Sequence, residues 1–405
     1  MHILLIHQIF IRPQDAGGTR HYEFARHLVR RGHRVTVIAG SRSYLTGEPI
    51  QAPKREVIEP GFEILRAFTL GGVHRNFLTR TLGFISFMLS AAWLGLRVKG
   101  LDLIWGTSPP LFQGLSAWFV ARMRRLPFLF EVRDLWPYFA VAAGVLRQPL
   151  LIRLAEWAEQ TLLRNADRVL VNSPGFLDHV QSRGARGVDL IPNGVDPQAF
   201  DPEANGSEFR RAHCLEGKFL VVYTGAHGMS NDLDVAIEAA RHLRGDDEIR
   251  LVLIGDGKEK PRLVQEAEQE GLRNVLFLPP VPKAEIPRAL AAADACLAIL
   301  KPIEAYRTTY PNKVFDYMAA GKPVVLAIDG VIREVVEREG AGVAVPPGDG
   351  AALARAIRDL AADREAAAAI GRRGRAAAET SFNRRRLAQE LETLLEAMVA
   401  PPISP

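Results

Sequence analysis

Phe219-Leu220-Val221-Val222-Tyr223-Thr224-Gly225-Ala226-His227-Gly228 is the stretch that decides the fold. A short apolar run stops at a glycine turn, and a helix is expected to start near Asp232. Such a run, bounded by turn residues, reads as a buried strand of a parallel sheet. The chain opens the same way, with Met1-His2-Ile3-Leu4-Leu5-Ile6-His7, then the turn Asp15-Ala16-Gly17-Gly18-Thr19 and a helix over about 19–31. Working outward from the first copy, strands are expected near 34–39, 63–68, 101–106, 127–132, 168–172 and 187–191. Helices fall near 77–98, 111–124, 149–165 and 174–183. From the second copy, strands follow near 250–254, 274–278, 294–299, 323–328 and 342–346. Residues 41–62, rich in Gly and Pro, read as an exposed excursion.

Strands alternating with helices at this spacing imply parallel sheets built from βαβ units. A chain of 405 residues suits two such cores. The expected class is therefore α/β, with two Rossmann-like doubly wound domains, 1–197 and 198–382, facing a central cleft. Residues 383–405 form a C-terminal helix and tail, placed to pack back on the first domain. The turn-rich Ile191-Pro192-Asn193-Gly194-Val195-Asp196-Pro197 marks the join. In open sheets of this kind, ligands bind beyond the carboxyl ends of the strands.

Hydrophobic residues at 48% and charged residues at 24% fit a soluble globular protein. The net charge of +5 divides unevenly, with +9 over residues 1–200 and −4 over 201–405. A basic first half suits anionic lipid or a phosphate-bearing substrate, or simply reflects an arginine-rich composition. There is no basic stripe interleaved with aromatics, so nucleic acid is not an expected partner. Cys214 and Cys296 lack metal or redox spacing, and the first residues lack a signal-peptide pattern, which together point to a cytoplasmic protein. Thr81–Leu96 carries no charge and is too short to span a bilayer; it reads as a core helix or as one lying in the membrane interface.

The candidate chemistry collects at strand ends. Gly17-Gly18 and Gly225 each let a backbone approach a ligand and present amide N–H groups to an anion. The Gly17-Gly18 turn lacks the spacing of a dinucleotide fingerprint. Asp232 and Asp234 superficially match a metal-binding pair, but Asp232 reads as a helix N-cap, and no metal site is expected. Gly255-Asp256-Gly257-Lys258 adds a second glycine turn with a cation. In Thr308-Thr309-Tyr310-Pro311-Asn312-Lys313-Val314-Phe315-Asp316 a loop enters a helix near Pro311. There the helix start and Lys313 suit a pyrophosphate, and Asp316, one turn inside, either accepts from a ribose diol or is merely a solvated helix residue.

Four pieces, Gly17-Gly18, Arg31-Gly32-His33-Arg34-Val35-Thr36-Val37, Ile191–Asp196 and Tyr317-Met318-Ala319-Ala320-Gly321-Lys322-Pro323-Val324-Val325, together resemble glycosyltransferase family 4. The resemblance spans nearly the whole chain and implies a GT-B fold, retention of anomeric configuration and no metal. It also implies a nucleotide-sugar co-substrate, UDP-linked by that likeness. Thr107-Ser108-Pro109-Pro110 and Glu131-Val132-Arg133-Asp134-Leu135-Trp136-Pro137 resemble the bacterial branch that transfers N-acetylated amino sugars of the fucosamine type. Acceptors there are saccharides, often on polyprenyl diphosphate at the inner membrane surface, in cell-envelope polysaccharide assembly.

The donor-binding candidates are Gly17, Gly18, Gly225, His227, Lys258, Val281, Lys283, Tyr310, Pro311, Asn312, Lys313 and Asp316. Val281 and Lys283 lie beside the base, and Lys313 acts catalytically on the leaving diphosphate. His21, Ser108, Arg133 and Asp134 are the acceptor-side candidates, with Arg133 and Asp134 also counted as catalytic. The sequence departs from the family where two glutamates are usual: Thr308 and Asp316 stand there, and Glu304, four residues before, substitutes for the first only if the loop reshapes. The rival readings are a sugar-nucleotide epimerase or hydrolase of the same fold, and a non-catalytic nucleotide-binding partner subunit.

Overall fold

The computed structural model describes residues 1–400 except 16, 43–46, 72–76 and 202, so Ala16 and the tail from 401 lie outside the described residues. The first sheet holds β1 (His2–Ile6), β2 (Arg34–Gly40), β3 (Arg55–Glu59), β4 (Phe62–Ala67), β5 (Leu103–Ser108), β6 (Phe128–Val132), β7 (Arg168–Val171) and β8 (Val188–Leu190). Their order is β3-β4-β2-β1-β5-β6-β7-β8, all parallel except β3, which runs antiparallel to β4. β3 corrects the expected excursion. Arg55-Glu56-Val57-Ile58-Glu59 is charged at both ends and none of it is fully buried, the pattern of a protected edge strand, which gives little periodic signal.

α1 (Arg20–Arg30) covers one face of this sheet, with Phe24 and Leu28 in its core. The helix Arg384–Val399 covers the same face, because Leu387, Leu391 and Leu395 repeat at helical spacing and join that core. The other face carries α2 (Phe77–Gly95), α3 (Leu111–Arg124) and, beyond the short α4 (Tyr138–Ala142), α5 (Pro149–Asn165). α2 packs one face into this core and leaves another outside. Phe87 and Ala91 are fully buried, while Leu89 and Trp93 on the opposite side are exposed.

The second sheet is wholly parallel: β9 (Phe219–Thr224), β10 (Ile249–Ile254), β11 (Val275–Leu278), β12 (Ala295–Ile299), β13 (Val324–Ala327) and β14 (Gly342–Ala344), ordered β11-β10-β9-β12-β13-β14. Separate apolar cores lie on its two faces. The strand order turns at β1 in one sheet and at β9 in the other, the positions where this architecture places ligands.

The chain divides into two compact units. One comprises Met1–Ile11, Thr19–Pro192 and Arg385–Pro405, and the other Arg12–Gly18 and Asn193–Arg384. The division falls at 192/193, not at 197, and the Arg12–Gly18 segment groups with the second unit, not the first. The shift has a local cause. Val195 N–H donates to Phe382 O, Arg384 N–H donates to Val195 O and Arg384 also donates to Gly194 O, tying the turn-rich join into the second unit.

Candidate active site

In the second unit the site is built on β9. Gly225 follows it at φ 148°, a conformation that side chains rarely adopt. A Cβ there would stand 2.9 Å from Lys313 Nζ, so the missing side chain is what admits the lysine. Lys313, half-buried on the helix Asn312–Ala319, stacks its ammonium 4.0 Å over the Tyr223 ring and reaches Asn231 Oδ1 at 3.4 Å. No carboxylate among the described residues pairs with it. Burial pushes its ammonium down to about 7. His227 beside it is buried with neither ring nitrogen hydrogen-bonded. Burial and then the Lys260 charge hold it down to about 4, so it is neutral at physiological pH.

The two glycine turns interlock. A Cβ at Gly257 would lie 2.3 Å from His227 O, so backbone packs directly on backbone. Lys260, which sequence reasoning missed, clamps this joint by donating to Gly255 O at 2.7 Å and Leu278 O at 2.8 Å. Lys258, expected at the phosphate, is exposed on the same turn.

Pro311 caps the Asn312–Ala319 helix instead of standing inside its first turn. Tyr310 O, just before it, accepts from the buried Asn193 Nδ2 at 2.8 Å, which explains the asparagine of the join motif. Tyr317 OH accepts from Thr224 N–H at 2.9 Å, fixing the end of β9 from the same helix. Asn312 is exposed, and a Cβ at Gly18 would approach its Nδ2 to 3.3 Å. Val281 is half-buried against the core.

Three expectations need correction here. Lys283 and Asp316 were assigned separately, but Lys283 Nζ donates to Asp316 Oδ2 at 2.5 Å, so each is the other's partner. Glu304 does not replace the missing carboxylate: its side chain is 80% exposed and faces Arg307 at 3.3 Å. Asp232 occupies the N-cap position in the left-handed region, where its side chain makes no capping bond.

In the first unit the strand ends of β1, β5 and β6 converge. Parallel register sets Thr107 beside Glu131 and Ser108 beside Val132, so Arg133 emerges at the Pro109 turn. Its Nε donates to Thr107 Oγ1 at 2.9 Å and Ser108 O at 3.1 Å, and its outer nitrogen donates to Pro109 O at 3.1 Å. Arg133 is thus a positioning residue, committed to that turn, and Ser108 is buried beneath it. Gln113, unforeseen, donates to Pro109 O at 3.0 Å and accepts from Gln8 N–H at 2.6 Å, locking the β1 and β5 ends together.

Asp134 alone of these is open to solvent. Surrounding protein desolvates its carboxyl and raises it toward about 6, with Arg133 pulling the other way; water at the open surface moderates the rise. His21 is not a free acceptor-binding group. It is buried and bonded through Nε2 to Glu131 at 2.6 Å, and burial lowers its pKa against the pull of that carboxylate. Burial alone would raise Glu131, but His21 and Arg20 more than offset it, and the carboxylate stays ionised. Arg20 bonds Glu131 at 3.0 Å and donates to Ile191 O and Pro192 O, both at 2.7 Å.

His7, also missed, follows β1 with its ring 4.3 Å from that of His21 and neither nitrogen bonded. Nothing in its sequence position signals a site, because only the fold brings it beside His21. Among the described residues, His33, Glu392 and Glu396 bring ligand atoms within 4.8 Å of one another, which the sequence spacing of the histidines did not suggest. Arg31 already holds Glu392 there at 3.1 Å.

Two doubly wound units, each with buried polar groups gathered at its strand ends, define a GT-B protein. The fold is shared with the Anabaena protein Alr3699/HepE solved in complex with UDP-glucose, at a TM-score of 0.73, 18% identity and coverage of 98% of this chain and 100% of that one. Residues 16–194 match the family model described as a glycosyl transferase 4-like domain, and residues 218–363 match that of glycosyl transferases group 1. A putative colanic acid biosynthesis glycosyl transferase of Escherichia coli is 25% identical over 88% of this chain and 91% of its own length. A GDP-mannose-dependent alpha-mannosyltransferase of Mycobacterium tuberculosis is 25% identical over 86% and 84%. The chain belongs to the group 1 glycosyltransferases, as a hexosyltransferase of GT-B type.

Proposed function

We propose that the chain is a retaining, metal-independent transferase that moves an N-acetylated amino sugar from a UDP-sugar to a saccharide or polyprenyl-diphosphate-linked saccharide in surface-polysaccharide biosynthesis. The observation that carries this reading is Lys313. A desolvated ammonium, held beside a glycine turn with no carboxylate to pair with, is a site prepared for an anionic ligand. A nucleotide's diphosphate supplies that anion, with Gly225 and His227 beside it. Asp316, steadied by Lys283 on one oxygen, keeps Oδ1 for a ribose hydroxyl.

The departing diphosphate gathers charge as the glycosidic bond breaks, and Lys313 with the turn amides stabilises it. The acceptor hydroxyl attacks from the side the diphosphate leaves and passes its proton to a donor phosphate oxygen. Asp134, open and beyond β6, orients that acceptor. Uridine is favoured by the UDP-glucose bound to the Anabaena protein, and the Escherichia coli relative supports the polysaccharide setting. The amino sugar and lipid-linked acceptor rest on the likeness of Thr107–Pro110 and Glu131–Pro137 to that branch.

The test is calorimetric binding of UDP, GDP and ADP to wild type and Lys313→Met, followed by product analysis of a UDP-amino sugar with and without acceptor. Selective UDP binding that weakens in the variant, with acceptor-dependent product of retained configuration, is expected. Selective GDP binding would overturn the uridine assignment. Donor consumption without acceptor would point to an epimerase or hydrolase, and tight binding without turnover to a non-catalytic subunit.

A further inference from the structure

All but one of the large apolar side chains exposed among the described residues belong to the first unit. They concentrate on one helical layer. α3 packs between α2 and α5 over the same sheet face, and each helix turns a buried stripe inward. Each also turns an apolar stripe outward: Leu89 and Trp93 from α2, Phe119 and Met123 from α3, Leu154 and Trp157 from α5, each between 45% and 63% exposed. Pairs spaced three or four residues apart fall on one face of their helix. Three adjacent helices with apolar residues on both faces do not describe a surface meant for water.

The charge pattern says what covers it. Between Glu63 and Glu131 the sequence holds eight lysines and arginines and a single acid, Asp102. That acid is occupied in accepting from His2 N–H at 2.6 Å. Arg97 lies 3.4 Å over the Trp93 ring, and Lys99, just past the end of α2, and Arg122 on α3 are exposed. Tryptophan and arginine side by side, an apolar body with a cationic tip, match the headgroup boundary of a bilayer. The two carboxylates of α5, Glu156 and Glu159, are engaged by Arg183 at 3.5 Å and 3.4 Å. No helix among the described residues is long and apolar enough to cross a membrane.

We infer that the outer face of α2, α3 and α5 docks on an anionic phospholipid surface and lies in its interface. A basic rim around an apolar face selects anionic lipid over a second copy of the same basic surface, which would repel it. The inference goes beyond the donor reading and does not depend on it, since vesicle binding requires no nucleotide.

The experiment is flotation of the full chain with vesicles of phosphatidylcholine alone or with about 30% phosphatidylglycerol, at low and high salt. The protein is expected to float with the anionic vesicles and to be released at high salt. Trp93→Ser/Phe119→Ser/Trp157→Ser is expected to lower partition at least about a hundredfold, while UDP binding is retained. Lys99→Gln/Arg122→Gln, which leaves the apolar face intact, is expected to lower it roughly twenty-fivefold, about fivefold per cation. Wild-type protein that stays unbound at low salt, or variants that float as well as wild type, would overturn the inference. So would a dimer in light scattering that the triple variant abolishes without any vesicle binding, because the face would then belong to a second copy.

Discussion

Binding of a nucleoside diphosphate is expected to carry a proton into the protein, because Lys313 without its ligand titrates near neutrality. With its ammonium pushed down to about 7, roughly one Lys313 in ten is protonated at pH 8. A diphosphate oxygen about 4 Å away, at an effective dielectric constant of about 20, favours the ammonium by about 4 kcal/mol. That is about three pKa units, enough to keep it charged up to about pH 10 in the complex. Binding at pH 8 therefore takes up about 0.9 proton, falling to about 0.5 at pH 7. The terminal phosphate titrates near 6, below this window. Calorimetry at pH 8 in two buffers of different ionisation enthalpy reads the uptake directly. Affinity is expected to fall with rising pH above about 7, approaching tenfold per unit. The stability of the ligand-free chain runs the opposite way: the unfolded lysine binds more protons between about 7 and 10.5, so unfolding becomes harder as pH rises through that window. In Lys313→Met the uptake vanishes and UDP binds roughly ten- to a hundredfold more weakly, the loss of a charge-assisted hydrogen bond. Tight UDP binding with the same enthalpy in both buffers would refute the assignment of Lys313 to the diphosphate.

Three further outcomes follow from the geometry. Gly225→Ala places a Cβ 2.9 Å from Lys313 Nζ and is expected to weaken UDP at least about tenfold in calorimetry, the displaced ammonium losing its position; unchanged affinity would separate that turn from the site. Glu131→Gln leaves Arg20 buried without its carboxylate and is expected to cost about 3–5 kcal/mol in urea unfolding, whereas a loss below about 1 kcal/mol would mean the network is not holding the first unit together. Asp134→Asn is expected to lower kcat about a hundredfold with UDP affinity intact. In wild type the rate should climb with pH through about 6 as that carboxyl ionises, and a variant that keeps this limb would remove Asp134 from the acceptor side.

The parallel strands of both sheets were legible because buried parallel strands are short, nearly continuous apolar runs. β9 is the clear case, expected over the same residues that form it. β3 was not legible, since an edge strand with arginine and glutamate at its ends has no buried face to impose a pattern. Of the candidate site, Gly225 and Lys313 were readable from a turn and a helix start. Gln113, Lys260, Asn193 and His7 were not, because each meets a group on another element, Gln8, Leu278, Tyr310 and His21 in turn, that only the fold brings beside it.

Local chemistry thus decided where the strands, turns and helix starts lie, and with them the two doubly wound units. Tertiary structure decided which side chains are available. Asp316 looked free until Lys283 came beside it, Arg133 until the Pro109 turn claimed its guanidinium, and His21 until β6 brought Glu131 against it. The uncharged stretch Thr81–Leu96 read as a core helix or an interfacial one until packing covered Phe87 and left Trp93 outside. The physical reason is the same throughout. Propensity and periodicity act over a few residues, whereas a buried charge takes whichever partner the strand order sets next to it.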